Sequence, residues 1–402
     1  MSEGGCEMRP VPCHIGCSIG ASKVRVARVS PLGELEGVKE LERGQDDSFL
    51  TVAALAGRVA DFVRDTAAGA FVDLVGVSIK GPGRLQDGKL AIGKWADTPF
   101  KDREEVFQTL LEDALRERGV RFGSVVVMLD NEAALRGEMH RLGGLADSPA
   151  GMIKIWGTGR GALACEGGAV VRELRANEPG PDRWRVYSSD GRHLICVRVG
   201  RGYYRYEYRG VPPGNTRAPI NERSGEAFYS ERTAGPWLAR IVARDLIRLP
   251  KGERSRVLQA MGAPGLRLRA YVGAAARDKA VVATEKAILA GLTVAAAGGE
   301  DWARARILSI GAEEGTAIAA WAWEFQEHSF VEKIILVSSI GEFLGKDVLD
   351  ESGGDLLLGA LRRSLVGALL RRGAGEGWAR KVAEGVARSR LGWERELLPF
   401  AP

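Results

Sequence analysis

The residue best placed for chemistry is an aspartate at the end of an apolar stretch. Residues 125–129 are apolar and predict a buried strand, and Asp130 follows at once, ahead of a small-residue helix through Glu138. Open α/β sheets bind ligands beyond the carboxyl ends of their strands, so Asp130 could act as a general base or hold a metal ion. It could equally be an N-cap that accepts backbone N–H groups of the helix it opens.

Two glycine-rich turns lie far apart in the chain, each between two strand patterns. The first turn lies in Ser18-Ile19-Gly20-Ala21-Ser22-Lys23, and the second is Gly157-Thr158-Gly159. Backbone N–H groups and hydroxyls in such turns can bind phosphate, although each turn alone also suits an ordinary hairpin. Neither is a Walker or Rossmann motif, because no helix pattern follows directly. Their repetition favours phosphate binding.

These segments, in this order, resemble the ROK (repressor, open reading frame, kinase) sugar kinases of the actin, hexokinase and Hsp70 ATPase superfamily. Residues 18–23 resemble the family's first phosphate turn, and residues 157–159 resemble the second. Asp130 lies at the motif whose Asp is the general base. The resemblance implies an α/β chain with a two-lobed actin-like ATPase (ribonuclease H-like) fold and an interlobe cleft.

The resemblance also implies roles for individual residues. Asp130 would be catalytic, and ATP and Mg²⁺ would be the cofactors; no protein ligand for a metal ion is assigned. Phosphate binding is expected of Ser18, Gly20, Ser22, Lys23, Gly157, Thr158 and Gly159, nucleotide binding of Ser338, Ser339 and Gly341, and substrate binding of Gly81, Gly83, Asn131, Glu178 and Glu226.

The sequence departs from the family pattern at several of these places. Ser18 replaces an Asp that helps to organise the metal and phosphates, and Leu129 replaces an Asn that contacts the sugar. Pro181 replaces a His, and a serine pair at 338–339 replaces two glycines, which narrows the room for a purine. Residues 217–225 contain no Cys, so we expect no structural zinc.

The resulting functional hypothesis is ATP-dependent phosphoryl transfer to a hydroxyl of a sugar, polyol or sugar-like molecule. The changed sugar contacts favour an atypical acceptor over glucose. The alternative is a catalytically degenerate ROK-like protein that binds a metabolite or nucleotide and has a regulatory role. Loss of the Asp at position 18 favours this alternative, whereas Asp130, Glu178 and Glu226 favour an enzyme.

Composition is compatible with these hypotheses. The formal net charge of the 402 residues is +5, without a long basic block, which allows an anionic ligand and does not demand nucleic acid. The leader at 1–12 is too short for a helix-turn-helix, so DNA is not an expected partner. The five cysteines lack CxxC spacing, and neither a signal peptide nor a membrane-spanning apolar run is evident, which indicates a cytoplasmic protein without a membrane partner. Cys17 could be a redox-sensitive thiol or a small residue that fills a turn. The expected assembly is a homodimer.

Organisation along the chain follows from the strand and helix patterns. We expect a flexible leader at 1–12, an N-terminal lobe of 13–130 completed by a C-terminal helix within about 376–402, and a larger C-terminal lobe at 131–375. An amphipathic pattern predicts that last helix over 376–391. Residues 193–214 predict a hairpin with alternating Tyr and Arg, which the family does not explain.

Overall fold

The structure is a computed structural model. It describes residues 12–20, 23–30, 32–42, 51–79, 83–86, 89–92, 105–140, 144–156, 160–170, 183–187, 193–200, 203–207, 235–273, 279–325 and 331–401. The chain divides into two compact units. The first comprises Met1–His140, Tyr187–Ser189 and Trp393–Pro402, and the second comprises Arg141–Val186 and Asp190–Gly392. The first unit is therefore completed by the end of the chain.

The first unit combines a sheet with helices and a short C-terminal segment. Its described elements are β1 (His14–Ile19), β2 (Lys23–Val29), β3 (Leu35–Glu42), α1 (Val52–Ala67), β4 (Val72–Ile79), β5 (Gly83–Gln86), β6 (Lys89–Ile92), β7 (Glu105–Val106), α2 (Phe107–Glu117), β8 (Phe122–Leu129) and α3 (Asp130–Met139). Two 3₁₀ helices, Trp393–Glu396 and Leu398–Phe400, belong to what we call the C-terminal segment, Trp393–Ala401.

Five strands form the main sheet of this unit in the order β3-β2-β1-β4-β8. Strands β1, β2 and β3 are antiparallel neighbours, whereas β1, β4 and β8 run parallel. Ile15, Cys17 and Ile19 of β1 are buried in one core with residues of α1 and α2. Because side chains alternate along a strand, Gly16 and Ser18 belong to the opposite face of the sheet.

Helix α1 illustrates how local sequence sets an element's limits. The side chain of Thr51 accepts a hydrogen bond from the Ala54 N–H at 3.0 Å, as an N-cap does. The helix then buries Leu55, Val59 and Val63 at helical spacing. It starts at Val52, directly after this cap, and ends at Ala67.

The second unit is larger and richer in helices. Its described elements are β9 (Ala150–Trp156), β10 (Arg160–Glu166), β11 (Ala169–Val170), β12 (Arg183–Tyr187, whose last residue groups with the first unit), β13 (His193–Gly200), β14 (Tyr203–Glu207), α4 (Gly235–Arg248), α5 (Lys251–Ala260), α6 (Leu268–Gly273), α7 (Lys279–Ala297), α8 (Asp301–Phe325), β15 (Lys333–Val337), α9 (Ser338–Phe343), α10 (Leu356–Arg371), α11 (Glu376–Glu384) and β16 (Val386–Arg388). Within the described ranges, every helix is too short or too polar to cross a lipid bilayer.

Its main sheet repeats part of the pattern seen in the first unit. The order is β11-β10-β9-β15-β16, with β9 and β10 antiparallel and β15 parallel to β9. A hairpin beside a parallel strand therefore occurs in both units. The predicted hairpin near residue 200 is also present, with β13 antiparallel to β14 in a three-stranded sheet that includes β12.

The predicted helix over 376–391 ends earlier than its pattern suggests. Helix α11 stops at Glu384, and residues 386–388 form β16, a parallel neighbour of β15. The C-cap of the helix is Gly385, where a Cβ would lie 2.1 Å from the Glu332 carbonyl oxygen. Only glycine permits this approach, and the strand pairing that follows overrides the helical pattern.

Candidate active site

Asp130 lies where the sequence predicts it, directly after β8 and in the first turn of α3. Its Oδ1 accepts the backbone N–H of Asn131 at 2.8 Å, while Leu129 occupies the N-cap position and makes no side-chain cap. The carboxylate thus satisfies one backbone donor of the helix end. A helix N-terminus also favours negative charge, so this contact is compatible with the capping role and with a reactive carboxylate.

Strand pairing places Asp130 and the first glycine turn at one edge of the sheet. Ile19 pairs with Ile79, and Ile79 pairs with Leu129, so the parallel strands β1, β4 and β8 end together. The turn after β1 is closed by a 2.9 Å hydrogen bond from Gly20 N–H to the Lys23 carbonyl. Two strand spacings, roughly 10 Å, separate the ends of β1 and β8. This edge is where an open α/β sheet presents ligands.

Asn131 contributes a buried polar group next to Asp130. Its side chain is fully buried, and its Oδ1 accepts the Glu132 N–H at 2.8 Å. Its Nδ2 has no hydrogen-bond partner among the residues that the structure describes. A buried donor left without an acceptor costs about 1–3 kcal/mol. A ligand oxygen, or a residue outside the described ranges, would remove that cost by accepting a hydrogen bond from Nδ2. A substrate hydroxyl oxygen, as expected from the sequence, is one such acceptor.

The side chain of Ser18 contacts a residue that the sequence did not single out. Ser18 is buried, and its hydroxyl donates to Glu396 Oε2 at 2.6 Å. Ser78, its neighbour on β4, donates to the same oxygen at 3.1 Å. Burial raises the pKa of the Glu396 carboxyl, while the Ser18 hydrogen bond and the charge of Arg395 oppose that rise. No local pattern indicates Glu396, because it lies 378 residues from Ser18.

Lys23 is held at the surface of the first sheet. Its ammonium pairs with Glu40 on β3, and the Arg25 Nε donates to the same carboxylate at 2.6 Å. These two hydrogen bonds keep the pKa of the Glu40 carboxyl below its usual range. Phosphate binding by Lys23 stays a prediction, and it would require the ammonium to exchange Glu40 for a phosphate oxygen.

In the second unit, the expected nucleotide contacts lie at the start of α9. Ser338 follows β15 and has a φ of +77°, and its N–H donates to Glu342 Oε1 at 2.7 Å. The Gly341 carbonyl accepts from Arg388 Nη1 at 2.9 Å, and Arg388 also pairs with Asp355. The positive φ of Ser338 is a conformation typical of glycine, although the residue is serine.

We expect Ser338→Gly to stabilise the protein, because glycine adopts positive φ without steric cost. The gain should be about 1 kcal/mol, which for a unit of this size raises Tm by roughly 2–4 °C. Ser339→Gly is the matched control, since that residue lies within α9 and glycine should weaken the helix there. Differential scanning calorimetry checks both variants. A lower Tm for Ser338→Gly would contradict the expected strain.

Several expected contacts lie outside the described residues. These are Ser22, Gly81, Gly157, Thr158, Gly159, Glu178 and Glu226. Gly83 begins β5, and for Ser339 the structure gives backbone only. Among the described residues, no group of three or more His, Cys, Asp or Glu side chains could hold a metal ion. Cys17 is fully buried, and burial raises the pKa of its thiol, which disfavours the thiolate that redox chemistry needs.

Several solved structures that match this chain are ROK family proteins, although no protein-family model and no curated protein matches the chain. A ROK family glucokinase from Streptomyces griseus, solved with glucose and AMPPNP, has a TM-score of 0.58 at 17% identity, covering 97% of this chain and 98% of its own. A ROK hexokinase from Thermus thermophilus has a TM-score of 0.56 at 17% identity, covering 97% and 96%.

The similarity extends to a protein with a different role. A ROK family transcriptional regulator, described as a homologue of the E. coli MLC protein, has a TM-score of 0.60 at 14% identity, covering 97% of this chain and 77% of its own. The α/β class and the ROK resemblance expected from the sequence are thereby confirmed at the level of the fold. The chain has the actin-like ATPase fold of the ROK sugar kinases.

Proposed function

We propose that this protein transfers a phosphoryl group from ATP to a hydroxyl of a sugar, polyol or sugar-like molecule. The observation that carries the proposal is the shared sheet edge: Asp130 follows β8, and the Gly20 turn follows β1, in a register that ends the strands together. A base and a phosphate turn about 10 Å apart suit a transfer between a bound hydroxyl and a bound triphosphate.

In this proposal Asp130 accepts the proton of the attacking hydroxyl, and the turn around Gly20 and Lys23 holds phosphate oxygens. Asn131 Nδ2, which is buried, donates to an acceptor hydroxyl oxygen. Ser338 and Gly341 contact the nucleoside. Most of the rate enhancement then comes from positioning and charge stabilisation, because phosphoryl transfer needs little covalent chemistry from the protein.

The described residues are compatible with Mg²⁺ bound mainly through the nucleotide. They contain no cluster of three or more acidic or other metal-binding side chains, and Mg²⁺ commonly uses one or two carboxylates together with substrate phosphates. The ion would neutralise phosphate charge. Any protein ligand that it used at this edge would be a carboxylate, the kind of group that Mg²⁺ prefers.

The second candidate is a non-catalytic protein that binds a metabolite or nucleotide and has a regulatory role. The observation that favours it is Ser18, whose hydroxyl is directed to Glu396 and which carries no charge of its own to attract Mg²⁺. Under this alternative, the fold binds ligand without turnover.

An ATP-turnover screen over sugars, polyols and nucleosides in the presence of Mg²⁺ separates the two candidates. The proposed kinase should form ADP with at least one acceptor, faster than with water alone, and the Asp130→Asn protein should not. Calorimetry of ATP binding completes the test. Binding without acceptor-dependent turnover would favour the regulatory candidate, and absence of both would overturn the proposed function.

A further inference from the structure

The C-terminal segment lies closely against the face of the first sheet opposite α1 and α2. Three glycines make room for it. A Cβ at Gly76 would lie 2.0 Å from the Phe400 ring, and one at Gly137 would lie 2.0 Å from the Arg395 carbonyl oxygen. At Gly16, the nearest atom of Leu397 would be 3.1 Å away. The sequence of the sheet and of α3 is therefore adapted to this segment.

Polar contacts fix the segment along the strands. The His14 side chain is hydrogen-bonded to the Phe400 carbonyl at 2.7 Å, and Arg25 stacks on the Trp393 ring at 4.6 Å from its centre. Arg395 and Glu138 are both buried, with 3.8 Å between Nε and Oε1. These contacts place the intervening residue, Glu396, over the paired serines of β1 and β4.

Only one oxygen of Glu396 is used by the described protein groups. Ser18 and Ser78 both donate to Oε2, whereas Oε1 accepts no hydrogen bond from any residue that the structure describes. Glu396 is half-buried. A carboxylate oxygen can accept more than one hydrogen bond or bind a cation. Oε1 is therefore available to water or to a ligand.

Glu396 is also close to the edge at which Asp130 lies. Ser18 and Ser78 occupy paired positions immediately before Ile19 and Ile79, the last residues of their strands. Met128 pairs with Ser78, and Asp130 lies two residues beyond it. Asp130 is thus about 7 Å along the strand direction and one strand spacing, about 5 Å, across from the Ser78 position.

A segment that needed only to cover this face could use an apolar residue above the serines. A carboxylate there costs desolvation energy. The two hydroxyl donors and the charges of Arg395 and Arg25 offset that cost only in part, since burial still leaves the pKa of the Glu396 carboxyl raised. The open oxygen, the partial exposure and the nearby sheet edge together suggest that the negative charge serves a ligand. The neighbouring Gly20 turn identifies phosphate and its cation as the fitting chemistry.

We propose that Glu396, in the C-terminal segment, supplies the carboxylate that binds Mg²⁺ near the phosphates. Glu396 accepts a hydrogen bond from Ser18 and so lies beside that residue. This inference rests on the proposed nucleotide binding. The carboxylate found at position 18 in the resembled family is then not lost in this chain but relocated. Residues at opposite ends of the sequence, Ser18 and Glu396, together form one acidic position.

The first test is the effect of Mg²⁺ on ATP affinity, measured by calorimetry for wild type, Glu396→Gln and Glu394→Gln. Gln preserves an acceptor for both serines, so the fold should survive. Glu396→Gln should reduce the Mg²⁺-dependent gain in affinity about 10-fold or more and leave metal-free ATP binding nearly unchanged. Glu394 is exposed on the same 3₁₀ helix, and Glu394→Gln should behave as wild type. A full Mg²⁺ gain in Glu396→Gln would overturn the inference.

The second test moves the carboxylate from position 396 to position 18, the other partner in the same hydrogen bond. Ser18→Asp alone should lower Tm, because it brings two carboxyl groups together where the contact is now 2.6 Å. Combining Ser18→Asp with Glu396→Gln should restore both Tm and the Mg²⁺ gain, since one acid and one hydrogen-bond partner are again present. A double variant no better than either single variant would contradict the relocation.

The comparison of Tm among the wild type, the two single variants and the double variant needs no nucleotide. It therefore distinguishes failure of the proposed function from failure of this inference. If wild type binds no ATP, the proposed function fails and the metal role of Glu396 fails with it. Restored Tm in the double variant would still support the relocated acidic position. If ATP binds with a normal Mg²⁺ gain that is insensitive to Glu396, the inference alone fails.

Discussion

Asp130→Asn is expected to reduce acceptor-dependent turnover by at least about 100-fold, the lower range for loss of a general base. The substitution preserves size and an oxygen that can accept the Asn131 N–H, now bonded to Oδ1 at 2.8 Å. The amide cannot take a proton from the substrate hydroxyl. The fold and ATP affinity should therefore persist while the chemical step is lost.

A matched control distinguishes catalysis from helix-end electrostatics. Glu376 is an exposed carboxylate in the first turn of α11. Glu376→Gln, like Asp130→Asn, replaces a carboxylate at a helix N-terminus by an amide of the same size. Both variants should lose only a few tenths of a kcal/mol to about 1 kcal/mol of stability. Turnover and thermal unfolding are measured on both. Unchanged turnover in Asp130→Asn would remove Asp130 from the mechanism and leave it as a helix-terminal residue.

Local sequence was sufficient to predict the elements that position Asp130. The apolar run before it and the alternating pattern around Gly20 each reflect the period-2 burial of a strand, which depends on near neighbours. The structure has β8 ending at Leu129 and a β1–β2 hairpin closed at Gly20. The shared edge then follows from parallel pairing through β4.

Side-chain partners at the site depend on distant residues and could not be predicted in this way. From the sequence alone, Ser18 appears as the loss of the family's acidic residue. Its hydrogen-bond partner Glu396 lies at the other end of the chain, so no local pattern connects the two. Similarly, the amphipathic sequence pattern of α11 continues to residue 391, but the helix itself ends where Gly385 contacts the Glu332 carbonyl. In both places a close tertiary contact decides the outcome, and periodicity carries no information about such contacts.

The glycines beneath the C-terminal segment give the second large expected effect. Gly137→Ala should displace this segment, because the new Cβ would meet the Arg395 carbonyl oxygen at 2.0 Å. The obstacle is backbone, so a rotamer change cannot relieve it. Overpacking of this kind costs about 1–3 kcal/mol, and loss of the docked apolar residues adds to it. Tm should fall by roughly 3–10 °C.

Gly252→Ala provides the control, since Gly252 also lies in a helix but a Cβ there meets nothing within 4 Å. That substitution should leave Tm unchanged or raise it slightly, because alanine is the better helix former. Hydrogen exchange over residues 393–401 then locates the effect. Gly137→Ala should lose protection there, and Gly252→Ala should not. If Gly137→Ala kept both its Tm and this protection, the close contact between α3 and the C-terminal segment would be wrong, and with it the placement of Glu396 over Ser18.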